Sequence, residues 1–409
     1  MKKFLLFIFI NSIFPLVAFS NDYLDDHLQE FTWNGMRVVW LEDETLPTYD
    51  VVVYFDEGAL SDGKRYGLTQ MMFDLITTGT KSRFQTEIID FLEYYGTSYG
   101  SNITHEYSSF SVSGLTKDLI PTMKLVCELM TDTVYPKKEL DLNKKRIIHG
   151  LKNMVTNHSA LAGRIFREVS LGHTPFSHPV NGTIKTISKI QSDELVKHRE
   201  YFNGVVNKTI YLRGSKKVKE LEKVLKNDCG WKQSQVAKKN DKEEIKFSKN
   251  EYENKIVFIS VPDANQAQVR IGRALTAKEI RSKDPLRSFA SHYMGSGFTS
   301  MLMQRLRVEK GLTYSVGSYA SEQRDYGRAG ISTFTKNQTI VDLLKNINEV
   351  VQENTKGISE ETLKIFKKNI KGNYLFSLES SSGFLQKFIT LDLRGKSYDE
   401  IYNFSPAIE

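Results

Sequence analysis

The order of predicted elements around Gly96 recurs around Gly311, about 215 residues later. In each copy the glycine ends a helix, and two short strands separated by a polar turn follow it, and then two helices. A tyrosine stands at the same distance after each glycine, Tyr99 in the first copy and Tyr314 in the second. An order that matches through this many elements indicates an internal duplication. The sequence therefore predicts an α+β fold of two homologous domains, each a mostly antiparallel sheet packed with helices.

The predicted boundary between the two copies lies in a polar segment. A chain of 409 residues exceeds a single hydrophobic core, so two domains of about 190 residues are expected. Residues 233–250 are mostly polar and show no periodicity, which is typical of a solvated linker. We predict an N-terminal domain at residues 21–215, a linker region at residues 216–250 and a C-terminal domain at residues 251–409. The second unit is predicted to start at residues 256–261.

The first residues have the pattern of a secretory signal peptide. Lys2 and Lys3 precede an apolar run, and Ala18 and Ser20 place small residues at positions −3 and −1 of a cleavage site. A retained membrane anchor is the alternative, although the run is short for a bilayer span. We expect residues 1–20 to be removed and the mature protein to be exported without a membrane segment. Its destination would be the periplasm of a Gram-negative cell, or otherwise the medium.

Only two cysteines are present, Cys127 and Cys229, which excludes a disulfide scaffold. Cys127 falls in an apolar helical pattern that predicts burial, and a single bridge between the two cysteines is an open alternative. The net charge of +7 suits an acidic partner. However, acidic residues are mixed into most basic stretches and no aromatic residues interleave with them. We therefore predict a solvated surface and no nucleic-acid partner.

Short motifs in both halves carry a family resemblance. They lie at residues 34–38, 67–75, 79–80 and 173–183 in the first half, and at residues 266–269, 272, 295–300, 306–307 and 311–315 in the second. In this order they resemble the pitrilysin/insulinase family of zinc peptidases. The resemblance implies the duplicated α/β roll of that family, in agreement with the repeat. In the family, a further helix and an edge strand follow the region that residues 391–408 resemble. Two alternatives are open for this chain: the last strand is absent, or another element, such as a partner, closes the second sheet.

The resemblance includes one departure from the family, in its zinc motif. Active members bind zinc through H-x-x-E-H and a distant glutamate, and the glutamate of the motif acts as the general base. By position, the first histidine falls on Gln70, the base on Phe73 and the second histidine on Asp74. The distant glutamate falls near Gly150, in a helix predicted to follow Pro136.

These four positions do not supply the family's chemistry as a set. The Gln70 amide is a poor zinc ligand, Phe73 cannot accept a proton from water, and Gly150 has no side chain. Asp74 offers one ligand where three protein ligands are needed. A register slip of one would place His149 at the third position, and that set would still contain no base. We therefore expect no metal in this chain.

A second functional pair falls in the second half. In the family, an arginine and a tyrosine seven residues later hold the substrate carbonyl and stabilise the oxyanion, and the motif places them at Arg307 and Tyr314. Gly295, Ser296 and Gly297 resemble a glycine-containing loop that contacts substrate in non-catalytic partners, although a tight turn before a helix explains them equally. Extended substrate binds an edge strand in the family, and that strand corresponds here to residues 98–103.

In the two-subunit branch of the family, one chain carries zinc and its partner carries the arginine and tyrosine. The resemblance therefore implies a zinc-less subunit of an exported metallopeptidase that is inactive alone and pairs with a zinc-bearing homologue. It would close a shared chamber and supply Arg307 and Tyr314 in trans to hydrolysis of an extended peptide. Two alternatives are a scaffold or peptide-binding protein with no peptidase in its complex, and an active metallopeptidase with unusual ligands.

Overall fold

The computed structural model describes residues 26–172, 174–232, 247–281 and 284–409. The predicted signal peptide and residues 233–246 of the predicted linker region lie outside these described residues. Within them, no helix has the length and apolar character needed to cross a membrane.

The first half is built on a six-stranded sheet. Its strands are β1 (Leu28–Trp33), β2 (Met36–Glu42), β3 (Thr48–Phe55), β4 (Ser98–Ile103), β5 (Ser108–Leu115) and β6 (Lys208–Gly214). They lie in the order β1-β2-β6-β3-β5-β4, and every neighbouring pair is antiparallel except β2 and β6. Asn34 and Gly35 both have positive φ angles between β1 and β2, as a type I′ turn requires.

Helices pack on this sheet and connect its strands. They are α1 (Leu68–Asp74), α2 (Gln85–Tyr94), α3 (Leu119–Asp132), α4 (Lys137–Asn153), α5 (His158–Leu171), α6 (Ile184–Ile187), α7 (Ser192–Gly204) and α8 (Leu221–Asn227). Shorter 3₁₀ turns occur at Ala59–Asp62, Thr116–Asp118, Met154–Thr156 and Lys216–Glu220. As predicted, Pro136 immediately precedes α4, because its fixed φ suits the start of a helix.

The second half repeats part of this plan. Its strands are β7 (Gln266–Thr276), β8 (Val316–Glu322) and β9 (Tyr326–Lys336), in the antiparallel order β7-β9-β8 that matches β3-β5-β4. Its helices are α9 (Ala277–Arg281), α10 (Asp284–Gly295), α11 (Met301–Met303), which continues as a π-helix at Gln304–Glu309, α12 (Ile340–Asn354), α13 (Glu360–Phe376), α14 (Ser381–Asp392) and α15 (Asp399–Ala407). A 3₁₀ turn at Asn337–Thr339 precedes α12. The predicted α+β fold with mainly antiparallel sheets is confirmed.

Residues 256–261, where the second unit is predicted to start, do not form a strand, and Ile256 and Phe258 are 89% and 81% exposed. The first strand of the second half is β7, which contains the motif at residues 266–269. In the first half, β2 is held in the sheet by β6 as well as by its hairpin partner. Among the described residues of the second half, no strand occupies the place equivalent to β6. The segment therefore has strand-forming side chains but no strand to pair with.

Each half contributes a helix to the outer face of the other half's sheet. One face of the first sheet packs on its own helices, whereas Tyr54 and Tyr211 on the other face pack against Phe384 and Phe388 of α14. Reciprocally, α5 of the first half lies along β7 of the second. The Arg270 guanidinium of β7 donates to the backbone carbonyl of Ser159 at 3.1 Å and to its hydroxyl at 2.8 Å. The two halves are therefore interlocked.

The turns of the two equivalent hairpins meet at the junction between the halves. The buried Glu106 carboxyl group, in the β4–β5 turn, accepts hydrogen bonds from the backbone N–H groups of Arg324 and Asp325 in the β8–β9 turn, at 2.9 and 3.0 Å. Burial and the neighbouring Asp325 carboxyl group raise the pKa of Glu106 to about 8. The Arg324 guanidinium then reaches Asp56 of the first half at 2.5 Å. These charged contacts fix one hairpin against the other.

His105 lies beside this contact and is held neutral. Its Nε2 lies 2.7 Å from the His178 carbonyl oxygen and must donate to it, so its Nδ1, 2.9 Å from the Tyr326 hydroxyl, accepts. The Tyr326 ring in turn stacks on Phe176 with ring centroids 4.0 Å apart. Burial lowers the pKa of His105 to about 4.

We expect the contribution of His105 to stability to fall on acidification. The folded pKa of His105 lies below its unfolded value, so the unfolded chain binds more protons between pH 6.5 and pH 4 and stability falls as pH falls through that window. The contribution lost between pH 7 and pH 5 is about 2 kcal/mol. Between pH 7 and pH 5, the urea unfolding free energy of the wild type should fall by about 2 kcal/mol relative to that of His105→Gln. An unchanged pH dependence would contradict a neutral, buried His105.

A disulfide joins Cys127 of α3 to Cys229, which follows α8, across 102 residues of sequence. Both cysteines are buried, and the open question of their pairing is thereby answered. The bond ties the last helix of the first half to the core of that half.

We predict that the variant Cys127→Ala/Cys229→Ala loses about 2–5 kcal/mol of unfolding free energy, because the bond restricts the unfolded chain. Urea unfolding of the wild type with and without reductant, beside the variant, measures this loss. Reductant should destabilise the wild type and leave the variant unchanged. A wild type that is equally stable with and without reductant would argue against a structural bridge.

Candidate functional site

The degenerate zinc motif lies on α1, whose two sides have different environments. Gln70 and Asp74 stand one turn apart on the open side, and the Gln70 amide donates to the Asp74 carboxylate at 2.8 Å. The hydrogen-bonding groups of the amide and the carboxylate are thus paired with each other on the helix surface. They are the two motif positions with side chains that a solute can reach.

Phe73 points the other way, into the core of the first half. It is 3% exposed, and its ring packs against those of Phe55, Phe110 and Phe202 at centroid distances of 5.7–6.5 Å. An aromatic ring in this position excludes water from the place where a general base would need it. The position predicted to have lost its base is therefore part of the packing.

The third predicted ligand position lies on α4. Gly150 is exposed, and a Cβ built on it would meet no atom within 4 Å. His149 is also exposed and pairs with Asn153 at 2.7 Å between Nε2 and the amide nitrogen. Across the described ranges, no three His, Cys, Asp or Glu side chains are grouped so that they could hold a metal ion. The residues present do not fit a catalytic zinc ion.

The second predicted site surrounds the π-helix. Arg307 lies in that helix, and its guanidinium carbon sits 4.9 Å from the ring centroid of Phe298, a cation–π distance. A π-turn is uncommon and is frequent at functional sites. Phe298 directly follows the Gly295–Gly297 stretch, so the structure brings the glycine loop and the arginine together. Phe298 was within the motif at residues 295–300, although its role as a platform could not be inferred from the sequence.

Both glycines of the loop are required by the backbone. A Cβ on Gly295 would lie 2.1 Å from the backbone nitrogen of Ser318 in β8, and Gly297 has a φ of +83°. Gly297 also presents its carbonyl to the Ser300 hydroxyl at 2.8 Å, which closes the turn before α11. The loop is therefore a tight turn held against the second sheet, and the turn is what places Phe298 beside Arg307.

Tyr314 lies in the segment between the π-helix and β8 and is 76% exposed. In the part of the chain that the structure describes, Arg307 has no carboxylate at ion-pair distance, whereas its neighbour Arg305 pairs with Glu309, Glu349 and Glu353. Arg305 thus holds the helix to α12, and Arg307 is left available. An available cation and an exposed phenol can each stabilise negative charge on a bound group.

The predicted substrate strand is an edge of the first sheet. β4 pairs only with β5, and most of its residues are exposed. Its outer edge offers backbone N–H and C=O groups to an added strand. α1, with the degenerate motif, lies against β4.

Family models match most of the chain in two parts. Residues 37–182 match the model described as Insulinase (Peptidase family M16), and residues 188–370 match the Peptidase M16 inactive domain. The chain belongs to peptidase family M16. The resemblance to insulinase-type peptidases is therefore confirmed across both halves.

Two bacterial relatives extend over nearly the whole M16 chain. The non-peptidase homolog YmxG of Helicobacter pylori is 24% identical over 383 residues, covering 91% of this chain and 84% of that protein. An uncharacterized zinc protease, YmxG of Bacillus subtilis, is 22% identical over 386 residues, covering 92% and 91%. The relatives thus include a protein described as a non-peptidase.

Solved structures share the fold of this M16 homologue. A peptidase M16 inactive domain from Pseudomonas fluorescens superposes with a TM-score of 0.77 at 19% identity, covering 93% of this chain and 90% of that one. The periplasmic protease PqqL from Escherichia coli gives a TM-score of 0.72 at 16% identity, covering 94% of this chain and 44% of that one. With its degenerate motif, the chain is an M16 homologue suited to a non-catalytic role.

The opposite environments of Phe73 and Gln70 predict different mutational effects. Phe73→Ala should lower the unfolding free energy by about 3–5 kcal/mol, because it empties a packed aromatic cluster. Gln70→Ala, on the open side of the same helix, should change it by less than about 0.5 kcal/mol. Urea unfolding of both variants measures the contrast. Similar small losses in both would show that Phe73 is not a core residue.

Proposed function

We propose that this M16 homologue is a non-catalytic subunit of an exported zinc metallopeptidase complex. It would pair with a zinc-bearing homologue, close a shared chamber, and supply Arg307 and Tyr314 to the substrate carbonyl in trans. The observation that carries the proposal is the contrast between the two sites. The predicted zinc-motif positions are a core phenylalanine, two surface side chains and a glycine, whereas Arg307 packs on the Phe298 ring and has no carboxylate partner among the described residues.

The chemistry of the pair supports this role. A carbonyl under attack by water develops negative charge on oxygen, and a fixed guanidinium beside a phenol O–H can donate to that oxygen. Neither group needs a metal in its own chain. The edge of β4 offers an extended peptide a line of backbone hydrogen bonds, as strand addition requires.

Export is supported by the disulfide. A buried Cys127–Cys229 bond persists where thiols are oxidised, in the periplasm or outside the cell, and is rare in the cytosol. This agrees with the signal-peptide pattern of residues 1–20. The bond and the signal-peptide pattern together support a complex outside the cytoplasm.

The test is turnover by the complex with a zinc-bearing M16 homologue from the same organism. Arg307→Ala and Tyr314→Phe should each lower kcat by about 10²–10³-fold, the loss that follows removal of an oxyanion donor. Lys310→Ala, an exposed cation in the same segment, is the control and should leave kcat unchanged. Complex formation by all variants is checked by size-exclusion chromatography.

Unchanged turnover in intact complexes of Arg307→Ala and Tyr314→Phe would contradict the role in trans. A complex that binds peptide without hydrolysing it would favour the second candidate, a scaffold or peptide-binding protein. The third, an active metallopeptidase with unusual ligands, requires stoichiometric zinc in the purified chain that is lost in Asp74→Ala.

A further inference from the structure

The interlocking helices cover the two sheets with different chemistry. Over the first sheet, α14 and α15 bring Phe384, Phe388 and Ile401 into an apolar cluster. Over the second sheet, α5 contributes Leu171 to a small apolar cluster near Tyr326. The two halves are copies of one unit. The apolar contact of α14 and α15 with the first sheet is therefore the example of a structural contact with which the contact of α5 with the second sheet can be compared.

The remainder of the second interface carries three arginines. Arg270 of β7 and Arg328 of β9 lie on one face of the sheet, since Arg328 pairs with Ala274, four residues along β7 from Arg270. Arg167 of α5 lies close enough for its charge to act on Arg328. The charges of all three act on Tyr319 of β8, whose hydroxyl lies over Gly330 of the same face. We call Arg167, Arg270 and Arg328 the arginine cluster.

No carboxylate balances this cluster in the described ranges. Each of its members is half-buried, and none has an acidic side chain at ion-pair distance there. Two other shielded arginines each hold a carboxylate: Arg213 holds Asp50 and Arg287 holds Glu322, both at 2.6 Å.

The electrostatics of the cluster reflect this imbalance. Burial lowers the pKa of Arg270 and of Arg328, and the charge of Arg167 lowers the pKa of Arg328 further. Unpaired charge removed from water opposes folding unless a counter-charge joins it. The cluster is therefore complementary to an anion.

There is also room for a ligand beside the cluster. Gly163 stands one helical turn from both Ser159 and Arg167 on α5, so it shares their face of the helix. A Cβ built on Gly163 would meet no atom within 4 Å. Ser159 is fixed by its two contacts from Arg270, so the helix is held across the sheet while the space at Gly163 is left open.

We propose that the arginine cluster is a binding site for the carboxylate of an acidic peptide, between α5 and the second sheet. The guanidinium forks of Arg167 and Arg328 match the two oxygens of a carboxylate, and the Tyr319 hydroxyl is a further donor. The terminal nitrogens of Arg270 already donate to the carbonyl oxygens of Val269 and Thr333 and to Ser159, so Arg270 adds its charge to the site. The choice of a peptide as the ligand rests on the proposed function. The site adds to that function a preference for negatively charged peptides.

The test is isothermal titration calorimetry with the mature chain alone, so it does not depend on a zinc-bearing partner. Two peptides are compared that differ only in Glu or Gln at one position, both with an amidated C-terminus. The acidic peptide should bind at least about tenfold more tightly. Arg328→Gln and Arg167→Gln should each remove that difference, and Gly163→Leu should weaken binding by filling the space without a change in charge.

Arg273→Gln is the matched control. Arg273 lies on the opposite face of β7, is exposed and pairs with Glu279 at 2.7 Å, so its loss changes the net charge equally. The preference for the acidic peptide should survive in this variant. Equal affinities of the two peptides for the wild type, or equal effects of Arg328→Gln and Arg273→Gln, would overturn the proposal. Full displacement of the acidic peptide by equimolar inorganic phosphate would also overturn it, in favour of a phosphate site.

A stability measurement separates binding from a structural role. Without ligand, Arg328→Gln should raise the urea midpoint, because it relieves repulsion from Arg167. A structural role predicts a lower midpoint, and a lower midpoint with an unchanged peptide preference would overturn the proposal. Arg307→Ala should leave this peptide preference intact, so failure of the role in trans and failure of this site give different results.

Discussion

The buried carboxyl group of Glu106 is the contact on which the arrangement of the two halves depends. A carboxyl group removed from water must be satisfied by fixed donors, and the donors here are two backbone N–H groups in the other half. Backbone groups cannot rotate away as side chains can, so the two hairpin turns are held in one relative position.

At the predicted zinc-motif positions on α1, the residues present serve the packing and the surface of the helix. Phe73 fills space in the core, while the open side of the helix carries a neutral amide bonded to a carboxylate. In the second half, the two required glycines place the ring of Phe298 beside Arg307, which lies in the π-turn.

Local features of the fold were predictable from the sequence, and long-range ones were not. The turn at Asn34 and Gly35, the helix after Pro136 and the repeated order around Gly96 and Gly311 depend on neighbours within a few residues. The apolar stripe of α14 shows that one face is buried but not which sheet buries it. Residues 256–261 illustrate the converse, because their β-branched and aromatic side chains favour a strand that has no partner.

The candidate site divides in the same way. The degenerate positions and the pair Arg307 and Tyr314 follow from motif positions in the sequence. The orientation of Phe73, the platform under Arg307 and the arginine cluster depend on contacts between distant segments. Arg167 and Arg328 are more than a hundred residues apart, and only the interlocked helices bring them together.

The exchange of helices sets a condition on biosynthesis. The outer face of the first sheet, with Val39, Leu41, Tyr54 and Tyr211, is buried by residues 378–401, which are synthesised well after β6. At about 5–20 residues per second, roughly 10–30 seconds separate completion of β6 from arrival of that cover. During this interval the nascent chain presents a bare apolar sheet, which is the kind of surface that holdase chaperones bind.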